Sequence, residues 1–240
     1  MARDTALQAR AARTGETVFS IYSWSAPTLS FGRNQPARDL YDADRLRASG
    51  IDVVRRPTGG RAILHHREVT YSVTAPIGDA PLRETYRRIN RILQSGLSRL
   101  GVFVEAAARL ERAPVPSFRP CFDVPGEGEL TAAGGKLVGS AQWRQGGALL
   151  QHGSILVDDD QSSLNVFASA GGPFDPVPAP ATLHGLLGRA PEVREVAHAM
   201  FDAVRALEDT DATRLTEESV RGETLDYISH FLDEDWTWRR

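Results

Sequence analysis

Two runs of mixed apolar and polar residues, Lys136 to Gln145 and Ala148 to Val157, flank a Gly146-Gly147 pair, and this pattern predicts a β-hairpin. Polar residues interrupt runs that could have been wholly apolar: Lys136, Gln142, Gln151 and His152 stand in them, and Gly139-Ser140-Ala141 keeps one face thin. Elsewhere the period changes. Leu82, Tyr86, Ile89, Leu93, Leu97 and Leu100 recur at helical spacing, which predicts a long amphipathic helix stopped by Gly101. Its arginines, Arg83, Arg87, Arg88 and Arg91, read as a solvated face. The alanine-rich Ala2–Arg13 segment reads as a helix ending before Gly15, and Leu40–Ala48 as a second, with Asp39 as N-cap and Gly50 as terminator. Pro191–Leu207 and Glu217–Leu232 are further helices. Strands are expected at Val18–Tyr22, Thr28–Phe31, Val53–Val54, Ala62–Leu64, Val69–Ala75 and Val102–Glu105. Strands in the middle flanked by helices give an α/β (α+β) class with a mixed β-sheet. The proline-rich Gly171–Pro180 stretch is the expected internal boundary, and Pro114–Gly128, which holds Cys121, is a long loop of the kind that often carries function.

Composition narrows the field. The 240 residues, 41% hydrophobic and 25% charged, suit one large or two small domains. A net charge of -3 offers no global attraction to nucleic acid or to an anionic membrane. A single cysteine excludes an internal disulfide and fits a reducing compartment. With no apolar run near the ~18 residues of a membrane span and no signal-peptide core behind Arg3, Asp4 and Arg10, a cytoplasmic protein is expected. The six histidines and one cysteine show no metal-ligand spacing, so no metal is expected.

Two motifs carry chemistry. In Arg55-Arg56-Pro57-Thr58-Gly59-Gly60-Arg61 the glycines allow a tight turn whose backbone N–H groups could converge on an anionic or carbonyl oxygen, with the arginines adding charge. Neither Walker nor GxGxxG spacing is present. The second motif is the hairpin, where a lysine beside small residues could hold a carbonyl oxygen or a phosphate. His65, His66 and His152 read as residues that shape the loop and the pocket rather than as bases.

Together the motifs resemble the biotin/lipoate protein ligase family, in its lipoate-ligase A and octanoyltransferase branch. The family shows an RRxTGG loop ending in histidine, a GxKxxGSAQ strand and a paired LQHGS strand. Here these are Arg55–Gly60 with His65, Lys136 with Gly139-Ser140-Ala141-Gln142, and Leu150-Gln151-His152-Gly153-Ser154. Weaker echoes are Met1–Asp4, Trp24–Gln35 and Trp236. Arg61 stands where many ligases have a third glycine and suits the transferase branch. The family places a strand ahead of its Met-Ala motif, whereas this sequence begins at Met1, so the expectation is either a missing sheet edge or a misassigned start.

The resemblance implies a seven-stranded mixed sheet flanked by helices, related to class II synthetase catalytic cores. It implies a single catalytic domain over residues 1–240, with a helical portion from about 182 and no accessory domain. It also implies an enzyme that attaches an eight-carbon acyl group to one lysine of a lipoyl carrier domain (the glycine cleavage H protein or a dehydrogenase E2 domain). Two routes exist. A transferase takes the octanoyl group from acyl carrier protein through a cysteine thioester and needs no cofactor; a ligase starts from a free carboxylate and needs ATP and Mg2+. A nucleophilic cysteine belongs only to the first route. Cys121, in a Pro-Cys-Phe-Asp loop like that of ligase-like octanoyltransferases, favours the transferase, with Lys136 as the second catalytic residue. Substrate binding is expected from Arg55, Arg56, Thr58, Gly59, Gly60, Arg61, His65, Gly139, Ser140, Ala141, Gln142, His152 and Gly153. An ATP-dependent lipoate ligase and a non-catalytic acyl- or carrier-binding relative are the alternatives. Biotin ligation is disfavoured, because the GRGRxGR loop of biotin ligases is absent.

Overall fold

The computed structural model describes residues 1–107, 122, 126–169 and 179–239. The chain opens with helix α1 (Ala2–Thr14), followed by strands β1 (Val18–Tyr22) and β2 (Thr28–Phe31), helix α2 (Ala43–Ala48), and strands β3 (Asp52–Arg55), β4 (Ile63–His65) and β5 (Glu68–Pro76). Helix α3 (Leu82–Arg99) leads to β6 (Glu105–Ala106), β7 (Leu130–Ala132) and the hairpin of β8 (Gly135–Gln145) and β9 (Ala148–Leu156). A 3-10 turn (Gln161–Phe167) precedes the helices α4 (Leu183–Leu187), α5 (Val193–Leu207), α6 (Glu217–Leu232) and α7 (Glu234–Thr237).

Among the described residues the strands form two sheets, one of six and one of three, where a single seven-stranded sheet was expected. The larger is antiparallel throughout, in the order β1-β5-β9-β8-β7-β6. The smaller, β3-β2-β4, is the mixed one, with β3 parallel and β4 antiparallel to β2. Hairpin β8–β9 turns where expected, because Gly146 (φ 58°) and Gly147 (φ 86°) both take the left-handed conformation that matches strand twist in a two-residue loop. Alternation along β5 sorts its side chains between two faces. Val69, Tyr71 and Val73 join the main core with Ile89, Leu93 and Leu97 of α3 and Val196 and Met200 of α5. Thr70, Ser72 and Thr74 lie on the other face with His152, under α1.

Two helix and strand bounds shift for local reasons. Helix α2 begins at Ala43 because Asp42, not Asp39, caps it: the Asp42 carboxylate accepts from the Arg45 N–H at 3.0 Å, while Asp39 sits at φ 65° outside the helix. The strand expected at Val102–Glu105 is pairable only at Glu105–Ala106, against β7. The three-residue β7 carries too short a pattern to be read in advance. Most of Gly171–Pro180, the expected boundary, and most of the Pro114–Gly128 loop with Cys121 fall outside the described residues. Arg83 and Arg88 of α3 pair with Glu127 and Glu208, in keeping with a solvated charged face.

Candidate active site

Both motifs meet at one cavity of about 170 Å³. Arg56, Gly60, Arg61, Ile63 and His65 supply one part of its lining, Lys136, Gly139, Ser140 and Ala141 of β8 another, and His152, Gly153 and Ser154 of β9 a third. Gly126 and Glu129, from the segment before β7, complete that side. Expected residues thus converge from positions about 80 apart in the chain, because β9 pairs with β8 on one edge and β5 on the other.

Lys136 is 3% exposed, and its ammonium sits 2.7 Å from Glu129 Oε2. The other Glu129 oxygen accepts from the Ser140 N–H at 3.3 Å, and Oε2 accepts from Gly126 N–H as well. A buried carboxylate so fixed by backbone N–H groups sets the direction of the lysine ammonium paired with it. The Phe122 ring lies 4.9 Å from the Lys136 ammonium, and a side chain at Gly139 would press on both residues. Glu129 had no signal in the sequence, since its partner lies across a turn and a strand pairing that shifts register between Leu130 and Thr131.

The Arg55–Arg61 loop differs from expectation in what it points inward. Arg56 donates to the Gly59 carbonyl from Nε (3.1 Å), to the Arg61 carbonyl from Nη2 (2.7 Å), and to both the carbonyl and the hydroxyl of Ser30 from Nη1 (3.0 and 3.1 Å). The turn is therefore wrapped around a guanidinium through its carbonyls, and these contacts do not use the convergent N–H groups the sequence suggested. Against the loop lies Gly32, where any Cβ would collide with the Gly60 carbonyl oxygen, so the glycine lets the two backbones touch.

Arg55 is a correction. It is fully buried yet does not line the cavity; it donates to the carbonyls of Gly32 (2.6 Å), Gln35 (2.7 Å), Trp236 (3.0 Å), Thr237 (3.0 Å) and Arg239 (2.9 Å). Trp236 Nε1 returns a bond to the Arg55 carbonyl at 2.9 Å. Its place is that of a brace for the C-terminal segment. Gln142 also lies off the cavity, donating at 2.7 Å to Gln151, which donates at 2.9 Å to the Tyr71 hydroxyl. Tyr71 donates in turn to Ser140 Oγ at 2.6 Å, and its phenol, pushed up to about 12 chiefly by burial, stays protonated. Thr58 and Gly59 are behind the lining, Thr58 bonded to His152 at 2.7 Å. His66 is exposed and pairs with Asp160 at 2.9 Å.

His152 Nδ1 faces Asp4 Oδ2 at 3.0 Å, and Tyr22 donates to the same oxygen at 2.9 Å. Burial pushes the His152 imidazole below its ordinary value, although Asp4 opposes this. For Asp4 the balance is reversed: burial alone would raise its carboxyl, but the hydrogen bonds and charges around it, His152 first, hold it well below the carboxylate range. His65 stacks on Trp24 at 4.3 Å. Asp4, Glu68 and Glu129 are the residues the sequence reading missed as part of this site. Among the described residues no group of three or more His, Cys, Asp or Glu is placed to hold a metal, and no helix is long and apolar enough to cross a membrane.

The octanoyltransferase LipM of Kyrpidia tusciae is 47% identical over 152 residues, which is 60% of this chain and 56% of the relative. The octanoyltransferase LipM of Carboxydothermus hydrogenoformans is 41% identical over 169 residues, 68% of this chain and 62% of that one. The chain thus spans less than two thirds of the length of these curated relatives. Among solved structures, lipoate-protein ligase A bound with ATP superposes with a TM-score of 0.76 at 21% identity, covering 99% of this chain and 92% of that one. The bipartite lipoate protein ligase of Thermoplasma acidophilum, described with its E2 lipoyl domain, gives 0.75 at 20% identity over 99% of this chain and 89% of that one. These two share the fold. Residues 1–205 match the family described as the lipoyl protein ligase A/B catalytic domain, and the chain belongs to that family.

Proposed function

We propose that the protein is an octanoyltransferase of protein lipoylation, moving an octanoyl group from acyl carrier protein through a thioester on Cys121 to a lysine of a lipoyl carrier domain. The observation that carries this reading is the buried Lys136–Glu129 pair in the cavity wall, packed on Phe122, the residue that follows Cys121 in the chain. The identity to proteins named octanoyltransferase supports it.

In the first step the Cys121 sulfur bonds to the thioester carbon of the donor, the carrier's C–S bond breaks, and the proton lost by Cys121 passes to the departing carrier thiol. One thioester replaces another, so no ATP is spent. Lys136, oriented by its ion pair with Glu129, donates to the oxygen on which negative charge develops. Burying about seven methylenes of the acyl tail contributes roughly 5 kcal/mol to binding. In the second step the acceptor lysine nitrogen attacks the enzyme thioester, the amide forms, and the released proton returns to the Cys121 sulfur.

The test is an incubation with octanoyl-acyl carrier protein alone. One octanoyl group adds to the enzyme, is released by neutral hydroxylamine, and is absent from Cys121→Ala; with apo lipoyl domain the label moves to the acceptor without ATP. Acylation of the domain only when octanoate or lipoate is given with ATP, undiminished in Cys121→Ala, would replace this reading with a ligase.

A further inference from the structure

Two buried carboxylates, Asp4 and Glu68, stand behind the cavity wall, and neither takes part in the steps above. Each backs a histidine that lines the cavity, and each histidine ends on a hydroxyl: Glu68–His65–Ser30 and Asp4–His152–Thr58.

The hydrogen assignments follow from what each group can donate. Arg56 only donates, so Ser30 Oγ accepts from it at 3.1 Å. Ser30 is fully buried, and the acceptor left for its own proton among the described residues is His65 Nε2 at 2.8 Å. The His65 ring proton is therefore on Nδ1, facing Glu68 Oε1 at 3.3 Å. The same oxygen receives the Thr70 hydroxyl at 2.6 Å, because Thr70 is itself an acceptor for the Trp24 indole N–H at 2.9 Å. In the second chain the Asp4 carboxylate can only accept, so the proton of the neutral His152 ring is on Nδ1 and the fully buried Thr58 hydroxyl donates to Nε2 at 2.7 Å. The Nδ1 proton meets Asp4 Oδ2 at 3.0 Å. Both imidazoles are fully engaged at both nitrogens, so neither is a free base.

Both chains end on the same object. Thr58 belongs to the Arg55–Arg61 loop, and Ser30 holds Arg56, the guanidinium around which that loop is wrapped. Gly60 and Arg61 then line the cavity. We propose that Asp4 and Glu68 are positioning residues for acyl-chain selection: through the two imidazoles they set where the Arg55–Arg61 loop stands relative to β8 and β9, and thereby how long an acyl chain the cavity accepts. The proposal rests on the octanoyltransferase reading for its substrate class.

The experiment compares hexanoyl-, octanoyl- and decanoyl-acyl carrier protein as donors, with calorimetric affinities for octanoate and decanoate as a readout that needs no transfer. Asp4→Ala and Thr58→Val cut one chain at opposite ends, and each changes the octanoyl-to-decanoyl ratio on the order of tenfold, the scale at which a pocket resolves methylenes. Asp4→Asn restores the ratio, because a single amide oxygen accepts the bonds that Asp4 Oδ2 now takes from His152 and Tyr22. Folded Asp4→Ala and Thr58→Val proteins that are slower with every donor but keep the wild-type ratio would show a purely structural role and overturn the proposal. Should the wild type transfer no acyl group, the octanoyltransferase reading fails by itself. The ratio of octanoate to decanoate affinities across the same variants then decides this one: unchanged, it fails too; shifted, it stands.

Discussion

The two faces of the large sheet are built on opposite rules, although one strand supplies both. On the face toward α3 and α5, β5 contributes Val69, Tyr71 and Val73 to a continuous apolar core. Under α1 it contributes Thr70, Ser72 and Thr74, next to Ser20, Gln8, Asp4 and His152, all buried. Several of these polar atoms have no hydrogen-bond partner among the described residues: Ser20 Oγ, Ser72 Oγ, Thr74 Oγ1 and Asp4 Oδ1. A buried polar surface with orphaned oxygens costs stability, since each unmet group forfeits its hydration. The apolar face holds the fold, and the polar face trades stability for the oriented donors and acceptors that reach the cavity.

That contrast is broken most directly on the apolar side. Leu93→Ala removes a fully buried side chain between α3 and the sheet and is expected to cost about 2–5 kcal/mol in denaturant unfolding. A loss under about 1 kcal/mol would mean the α3 face is not the main support. Acid tests the polar side. His152 has its folded value depressed below 6.5, so the unfolded chain binds the extra proton first, and the stability it contributes is present above 6.5 and lost as pH falls below that. Asp4 is also depressed, so its contribution is present above 3.8 and is lost below that. Urea midpoints should therefore decline in two stages on acidification, and His152→Gln should remove the first. An unaltered first stage would place the titrating group elsewhere. The smallest effect is expected at Ser72→Ala, which deletes an orphaned hydroxyl at a buried site: a change between zero and about 1 kcal/mol in favour of the variant. A loss of more than about 1 kcal/mol would show that the hydroxyl is bonded after all.

The same contrast explains what could be read in advance. Hairpin β8–β9, the stripe on α3 and the helix Glu217–Leu232 rest on local periodicity, turn glycines and caps, and they stand where expected. Lys136, His152 and the Gly139–Ala141 stretch stand out in the sequence because small and polar residues break an otherwise apolar strand pattern, and His65 stands out as the histidine that ends the Arg55–Gly60 motif; the structure places all of them in the cavity wall. Asp4, Glu68 and Glu129 left no such mark. A carboxylate in a helix or at a strand end looks the same whether it faces water or a histidine, and the partner of Asp4 is 148 residues away. Arg55 failed for the mirror reason: an arginine in a glycine-rich motif looks like a ligand contact, while its acceptors are backbone carbonyls, which carry no side-chain signature. Two sheets replaced one because β3, β2 and β4 pair among themselves, and their hydrophobic pattern alone does not specify which edge they join.

Arg55 also has a consequence for synthesis. It lies in β3, but three of its acceptors come from residues translated 181 to 184 positions later. Until that stretch leaves the ribosome, the small sheet holds a guanidinium whose cage is half built, and closing it requires one of the most distant contacts the chain makes. Contacts of such separation form late and slowly. A nascent chain halted before Trp236 would therefore hold the cavity-forming motifs, Arg55–Arg61 and the hairpin, without the brace behind them. During translation the motifs thus exist before the carbonyls of Trp236, Thr237 and Arg239 that brace Arg55.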